Sequence, residues 1–159
     1  MYDESPVRHA IVEWCQKTWV SHIMAGAPWH LASVEIGHML GLLVWFGTIL
    51  IVDLRLLGVM FAAQPASEIA DDVAPFGYAA LALQAVTGPV LFLATAMKML
   101  MSISLGVKLT LLAIALAYHF TVHRKAVRGA GDQARVRSIA YGSLALWFGV
   151  ALAGLWINA

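Results

Sequence analysis

The sequence predicts an all-α protein, a four-transmembrane-helix bundle preceded by an amphipathic N-terminal surface helix. Three observations point there. Of 159 residues, 61% are hydrophobic and only 12% charged, with a mean hydropathy of +0.79, more apolar surface than a soluble domain of this length can cover. Four apolar stretches come close to or exceed the roughly 20 residues that a helix needs to cross a hydrocarbon core. Each must be helical, because an open strand in lipid leaves its backbone groups unpaired.

The first element covers residues 1–29, a surface helix and its linker. Met1 to Pro6 are acidic and polar, unlike the basic start of a secretory signal, so no cleavable leader is expected. Pro6 suits a first helical position, and Val7, Ile11, Trp14 and Thr18, with Trp19 beside them, fall near one face at helical spacing. Residues 6–23 therefore read as an amphipathic helix lying on the membrane surface. Ala25-Gly26-Ala27-Pro28 breaks it, and Trp29 follows as an interfacial anchor.

Residues 30–159 form the transmembrane domain, with spans at 31–57, 74–97, 103–122 and 139–157. The first link carries Gln64-Pro65-Ala66-Ser67 and the acidic Glu68, Asp71 and Asp72, the composition of a solvated turn. The last link holds Arg124, Lys125, Arg128, Arg135 and Arg137, whereas the N-terminal segment and the second link offer only Arg8, Lys17 and Lys98. The positive-inside rule then puts the 124–137 loop in the cytoplasm and both termini on the periplasmic side of a bacterial inner membrane. Net charge is +1, so nucleic acid is not an expected partner; the lipid bilayer is. Cys15, the single cysteine, can close no intrachain disulfide and reads as a small buried hydrophobe.

Small residues at four-residue spacing, Gly37 with Gly41 and Ala145 with Gly149 and Ala153, give two helices faces for close packing. Those faces serve within one chain, in a homo-oligomer, or in a larger membrane complex. Gly88-Pro89 is expected to kink the second span and free a carbonyl near Gln84 or Ala85, which Gln84 and Thr87 can repair.

Ionisable groups inside spans are costly enough to mark function. Glu35 and His38 lie one turn apart on the first span, and Asp53 about 60° from His38 around the wheel. Lys108 and His119, eleven residues apart, are about 20° apart on the third span, with His123 one turn further. Two layers result. An outer one contains Glu35, His38 and Lys108, the simplest reading being a Glu35–Lys108 ion pair. An inner one contains Asp53, Arg55, His119 and His123, with His38 and His119 separated by roughly 15 to 20 Å in depth.

Two histidines at such different depths cannot share one metal. A b-type haem here takes His38 as one axial ligand, with Glu35, Lys108 and His119 as the other polar residues for a cofactor. The second ligand would come from His30 or His22, from the methionine cluster, or from another subunit. Met97, Met99 and Met101, read as close to the depth of His38, offer a copper alternative through thioether and imidazole ligands, against the plain reading of methionine as filler. His119 and His123 at i, i+4 are a further metal option beside their plain reading as interfacial residues. Glu35-x-x-His38 has di-iron spacing but occurs once, where such a site needs two copies. Asp53-Leu54-Arg55 reads as a helix end at headgroup level, with the arginine snorkelling.

Glu35-x-x-His38-x-x-Gly41, Gly47, Asp53-Leu54-Arg55-Leu56-Leu57-Gly58, Thr87-Gly88 with Phe92, and Lys108-Leu109 resemble the signature of a family of small bacterial four-helix membrane proteins of unknown function. The resemblance spans about residues 30–125 and implies the bundle but no activity. By that comparison the N-terminal helix is an addition with a docking role. The plan is more loosely similar to copper-resistance D-type membrane domains and small b-type cytochromes. No nucleotide loop, nucleophile with its base, or zinc-protease helix is present, so no conventional enzyme is expected. Three functions remain: a redox or metal-linked subunit, a non-catalytic accessory subunit of a larger complex, and a copper or proton conduit.

Overall fold

The computed structural model describes residues 6–129 and 131–156, the side chain of Met101 apart; Met1 to Ser5, Ala130 and residues 157–159, with the predicted end of the last span, lie outside the described residues. The N-terminal segment is two helices, α1 (Pro6–Gln16) and α2 (Trp19–Gly26). Thr18 divides them, its extended backbone and side-chain oxygen capping α2 at Ser21 N. In α1 the buried residues are Val12 and Cys15, while Val7, Ile11 and Trp14 are exposed. The apolar stripe read from the sequence thus faces outward, because α1 turns its other side onto the helix that carries Lys98 and onto the second span. Trp14, Trp19 and Trp29 all stand exposed at this end, as residues of an interfacial aromatic belt do. On the solvated side of α1, Lys17 bonds Glu13 at 2.6 Å and holds its carboxyl below the usual range.

Four helices follow that are long and apolar enough to cross a membrane. The first, α3 (Pro28–Leu56), opens on a proline at a position where no backbone N–H is needed. Next comes α4 (Ala66–Ala94), which begins eight residues earlier than the sequence predicted. Glu68, Asp71 and Asp72 lie in its first two turns, where carboxylates meet the positive end of the helix dipole, so the supposed turn is helix. The short α5 (Ala96–Met101) leads to α6 (Ile103–Tyr118). A π turn (His119–His123) and α7 (Arg124–Val127) continue that span, and α8 (Gln133–Trp156) closes the bundle. The basic loop consequently shrinks to the few residues between α7 and α8.

Helix α3 packs along α4 and against α8, and α6 packs on α8, whereas α4 and α6 barely touch. The core has two layers. Trp45, Ile49, Ala80, Ala115, Trp147 and Val150 form one, and Val52, Leu56, Ile69, Val127 and Ala140 form another nearer the basic loop. Close approach depends on glycine at two seams. A Cβ on Gly41 would stand 3.0 Å from Gln84 Nε2 and 3.4 Å from the Ala80 carbonyl, so the Gly41 face serves packing within the chain.

At Gly142 a Cβ would meet the Tyr118 hydroxyl at 2.8 Å, and that hydroxyl donates to the Ile139 carbonyl at 3.0 Å. Gly142→Ala is expected to displace Tyr118, break this bond and cost about 1–3 kcal/mol. Unfolding in detergent measures it, and the same change in a Tyr118→Phe background should cost less.

Candidate functional site

Near the basic loop, α3, the π turn and α8 bring together the residues of the lower polar layer. Asp53 is fully buried and accepts a hydrogen bond from His123 Nε2 at 2.7 Å, across two side chains that are 0% and 3% exposed. Asp53 thus stands in the last turn of α3, at the helix end, but with its side chain buried in the core. Arg55 leaves the layer altogether, donating from Nε to the Gln64 carbonyl and pinning the α3–α4 loop.

His119 stacks on His123, ring centroids 5.2 Å apart at 22°. The π turn makes this possible. In an α-helix residues four apart are offset by about 40°, but i→i+5 bonding, here Arg124 N–H to the His119 carbonyl, widens the turn and brings the two rings closer to eclipse. Trp45 then meets His119 edge-on at 5.2 Å and Trp147 at 5.3 Å. Since Trp45 is only seven residues along α3 from His38, the two histidine levels are about 10 Å apart, less than the sequence predicted.

This cluster is under-bonded. Asp53 Oδ2, His123 Nδ1, His119 Nδ1, Trp45 Nε1 and Ser143 Oγ are buried without a well-formed hydrogen bond among the described residues. Ser143 lies within hydrogen-bonding reach of the Asp53 carboxylate, though the contact misses good hydrogen-bond geometry. Orphaned polar atoms at this density call for water, an ion or a transferable proton. A cleft of about 90 Å³ adjoins Trp45 and the two histidines, lined also by Thr48 and Gly77, with Asp71, Arg124 and Arg128 in its wall. That is room for about three waters.

The upper layer is arranged differently from the sequence expectation. Glu35 is exposed, and no ion pair joins it to Lys108 among the described residues. Lys108 instead lies half-buried on α8, its Nζ 3.3 Å from where a Cβ of Gly154 would sit. It also lies within electrostatic reach of His38.

His38 is held from α4. Its Nδ1 is 2.8 Å from Thr87 Oγ1, and the Thr87 hydroxyl donates its own proton to the Leu83 carbonyl at 2.7 Å. Thr87 oxygen must then accept, so His38 Nδ1 carries the proton and, in the neutral ring, Nε2 is left with a bare lone pair. Gln84 fixes the same turn by donating to the His38 carbonyl, and Gly88 leaves 3.7 Å between His38 Cε1 and the place where a Cβ would stand. Gln84 and Thr87 thus serve His38 as well as the helix around Pro89.

Met97 is elsewhere. About 12 Å of helix rise separates Thr87, at the level of His38, from Thr95, where α4 ends and the methionine segment begins. Among the described residues no three His, Cys, Asp or Glu side chains converge as a metal cage. Sequence reasoning missed Thr87 as the orienting partner of His38, Asp53 as the partner of His123, and Trp45 and Ser143 altogether. Residues that look like ordinary fillers give no periodic signal of a cross-helix partner.

No curated protein and no solved structure matches the chain. A family model does match, described as a family of unknown function (DUF6644), over residues 11–159. The match begins inside α1 and includes α8, so the N-terminal helices are largely part of what the family shares and not an addition to it. The chain belongs to the DUF6644 family of unknown function.

Proposed function

We propose that this protein is a membrane-embedded redox subunit that holds haem b, whose iron His38 Nε2 would bind. The observation that carries the reading is the Thr87 hydrogen bond, because a ligating imidazole commonly donates its other N–H to a fixed acceptor that orients it and raises its basicity. Two further features agree. A bare ion needs several protein ligands, and no such cage exists among the described residues, whereas haem brings four nitrogens and asks the protein for one or two. Lys108 is a half-buried cation without a carboxylate partner among the described residues, suited to the carboxylates at a haem edge. When bound, the haem would supply one-electron chemistry; His38 and Lys108 would hold and orient it, and the apolar helices would exclude water.

The reading includes a bacterial inner membrane with the basic loop in the cytoplasm, supported by the gathering of Arg124, Lys125, Arg128, Arg135 and Arg137 at one end of the bundle. The haem level then belongs to the periplasmic half. The test is the optical spectrum and metal content of the protein purified from native membrane. A Soret band with stoichiometric iron is expected, and it should be lost in His38→Ala. Iron-free protein in both, with a partner still co-purifying, would mean an accessory subunit, and stoichiometric copper without iron would mean a copper-handling one.

A further inference from the structure

The Asp53–His123 pair and its cleft do not enter the haem reading. The carboxylate holds His123 Nε2–H, so in the neutral ring the unpartnered Nδ1 is a lone pair. His123 and the stacked His119 both line the cleft, and His119 Nδ1 is likewise buried without a partner among the described residues. We propose that this cleft is a proton-entry path from the basic-loop end, and that the Asp53–His123 pair is a site that takes up and releases one proton.

The step is simple in its balance. A hydronium in the cleft gives a proton to His123 Nδ1 and is left as water; an N–H bond forms and an O–H bond breaks. The pair passes from a lone buried carboxylate beside a neutral ring to a carboxylate beside an imidazolium. A buried single charge is costly, and a hydrogen-bonded opposite pair far less so. The groups facing the pair are few. Tyr118 of α6 feels Asp53 electrostatically, Ser143 of α8 lies beside it, and His119 and Arg124 flank His123 from the π turn and α7. Across the cleft, Asp71 of α4 meets Arg128 at 3.6 Å. That contact leaves Arg124 as the cleft's cation without a carboxylate among the described residues.

The test is nitrogen-15 NMR of the histidine-labelled full chain in lipid nanodiscs, titrated from about pH 5 to about pH 9. His123 is expected to gain a single proton on Nδ1 while Nε2 stays protonated throughout. Asp53→Asn should weaken proton binding by about tenfold or more, a shift of at least one pH unit in the midpoint. Ser67→Trp, at the edge of the cleft, should slow proton exchange at His123 about tenfold or more without moving the midpoint. A His123 that keeps one protonation state across this range overturns the proposal on wild-type protein alone, as does an Asp53→Asn midpoint that does not move. Unchanged exchange in Ser67→Trp would remove the cleft as the route.

Discussion

Asp53→Ala is expected to destabilise the chain by about 3–5 kcal/mol, the loss that follows when one partner of a buried pair is removed. Asp53 and His123 are both essentially inaccessible and meet at 2.7 Å. Deleting the carboxylate leaves His123 with two unbonded nitrogens in the core, since its Nδ1 already has no partner. The cost lies in that orphaned ring, so it should be recovered when the ring goes too. Asp53→Leu combined with His123→Leu replaces the pair by apolar packing and should restore most of the stability. Reversible unfolding in mixed micelles measures both, and a double variant no more stable than Asp53→Ala would show that the pair is not where the cost arises.

The second large effect concerns binding. Thr87→Val keeps the shape of the side chain and removes its oxygen, so His38 loses the acceptor that fixes its tautomer. Affinity for added haem should fall 10–100-fold, the usual consequence of losing the group behind a ligating histidine. Thr87→Ser retains the oxygen and should retain the affinity. A uniform loss in both would point to packing between α3 and α4 in place of orientation.

The bundle was legible because it rests on composition and length. Lipid admits little else than helices, and the apolar windows are continuous enough to count. Boundaries were less so. The acidic run from Glu68 to Asp72 has the composition of a turn and the placement of a helix start, and only the position of the dipole tells the two apart. The polar layers were partly legible. Spacing put Asp53, His119 and His123 in one layer, but the helical wheel assumes 100° per residue, and the π turn that stacks His119 on His123 departs from it.

The upper layer was read as an ion pair because two opposite charges at one depth invite it. Glu35, however, lies on an exposed face of α3, and Lys108 rests on α8, which packs tightly against α6. The sequence offers Thr87 as a repair for the helix around Pro89, not as a partner of His38. That second role comes from a contact across 49 residues, and a single sequence does not encode that visibly.

Everything proposed for His38 depends on which ring nitrogen holds the proton. Nitrogen-15 NMR of the haem-free chain near neutral pH reads this directly. The Thr87 contact requires a protonated Nδ1 and an unprotonated Nε2 at His38, with Thr87→Val releasing the ring into a mixture of both forms. A His38 found with its proton on Nε2 would contradict it, because the nitrogen assigned as ligand would then have no lone pair to give.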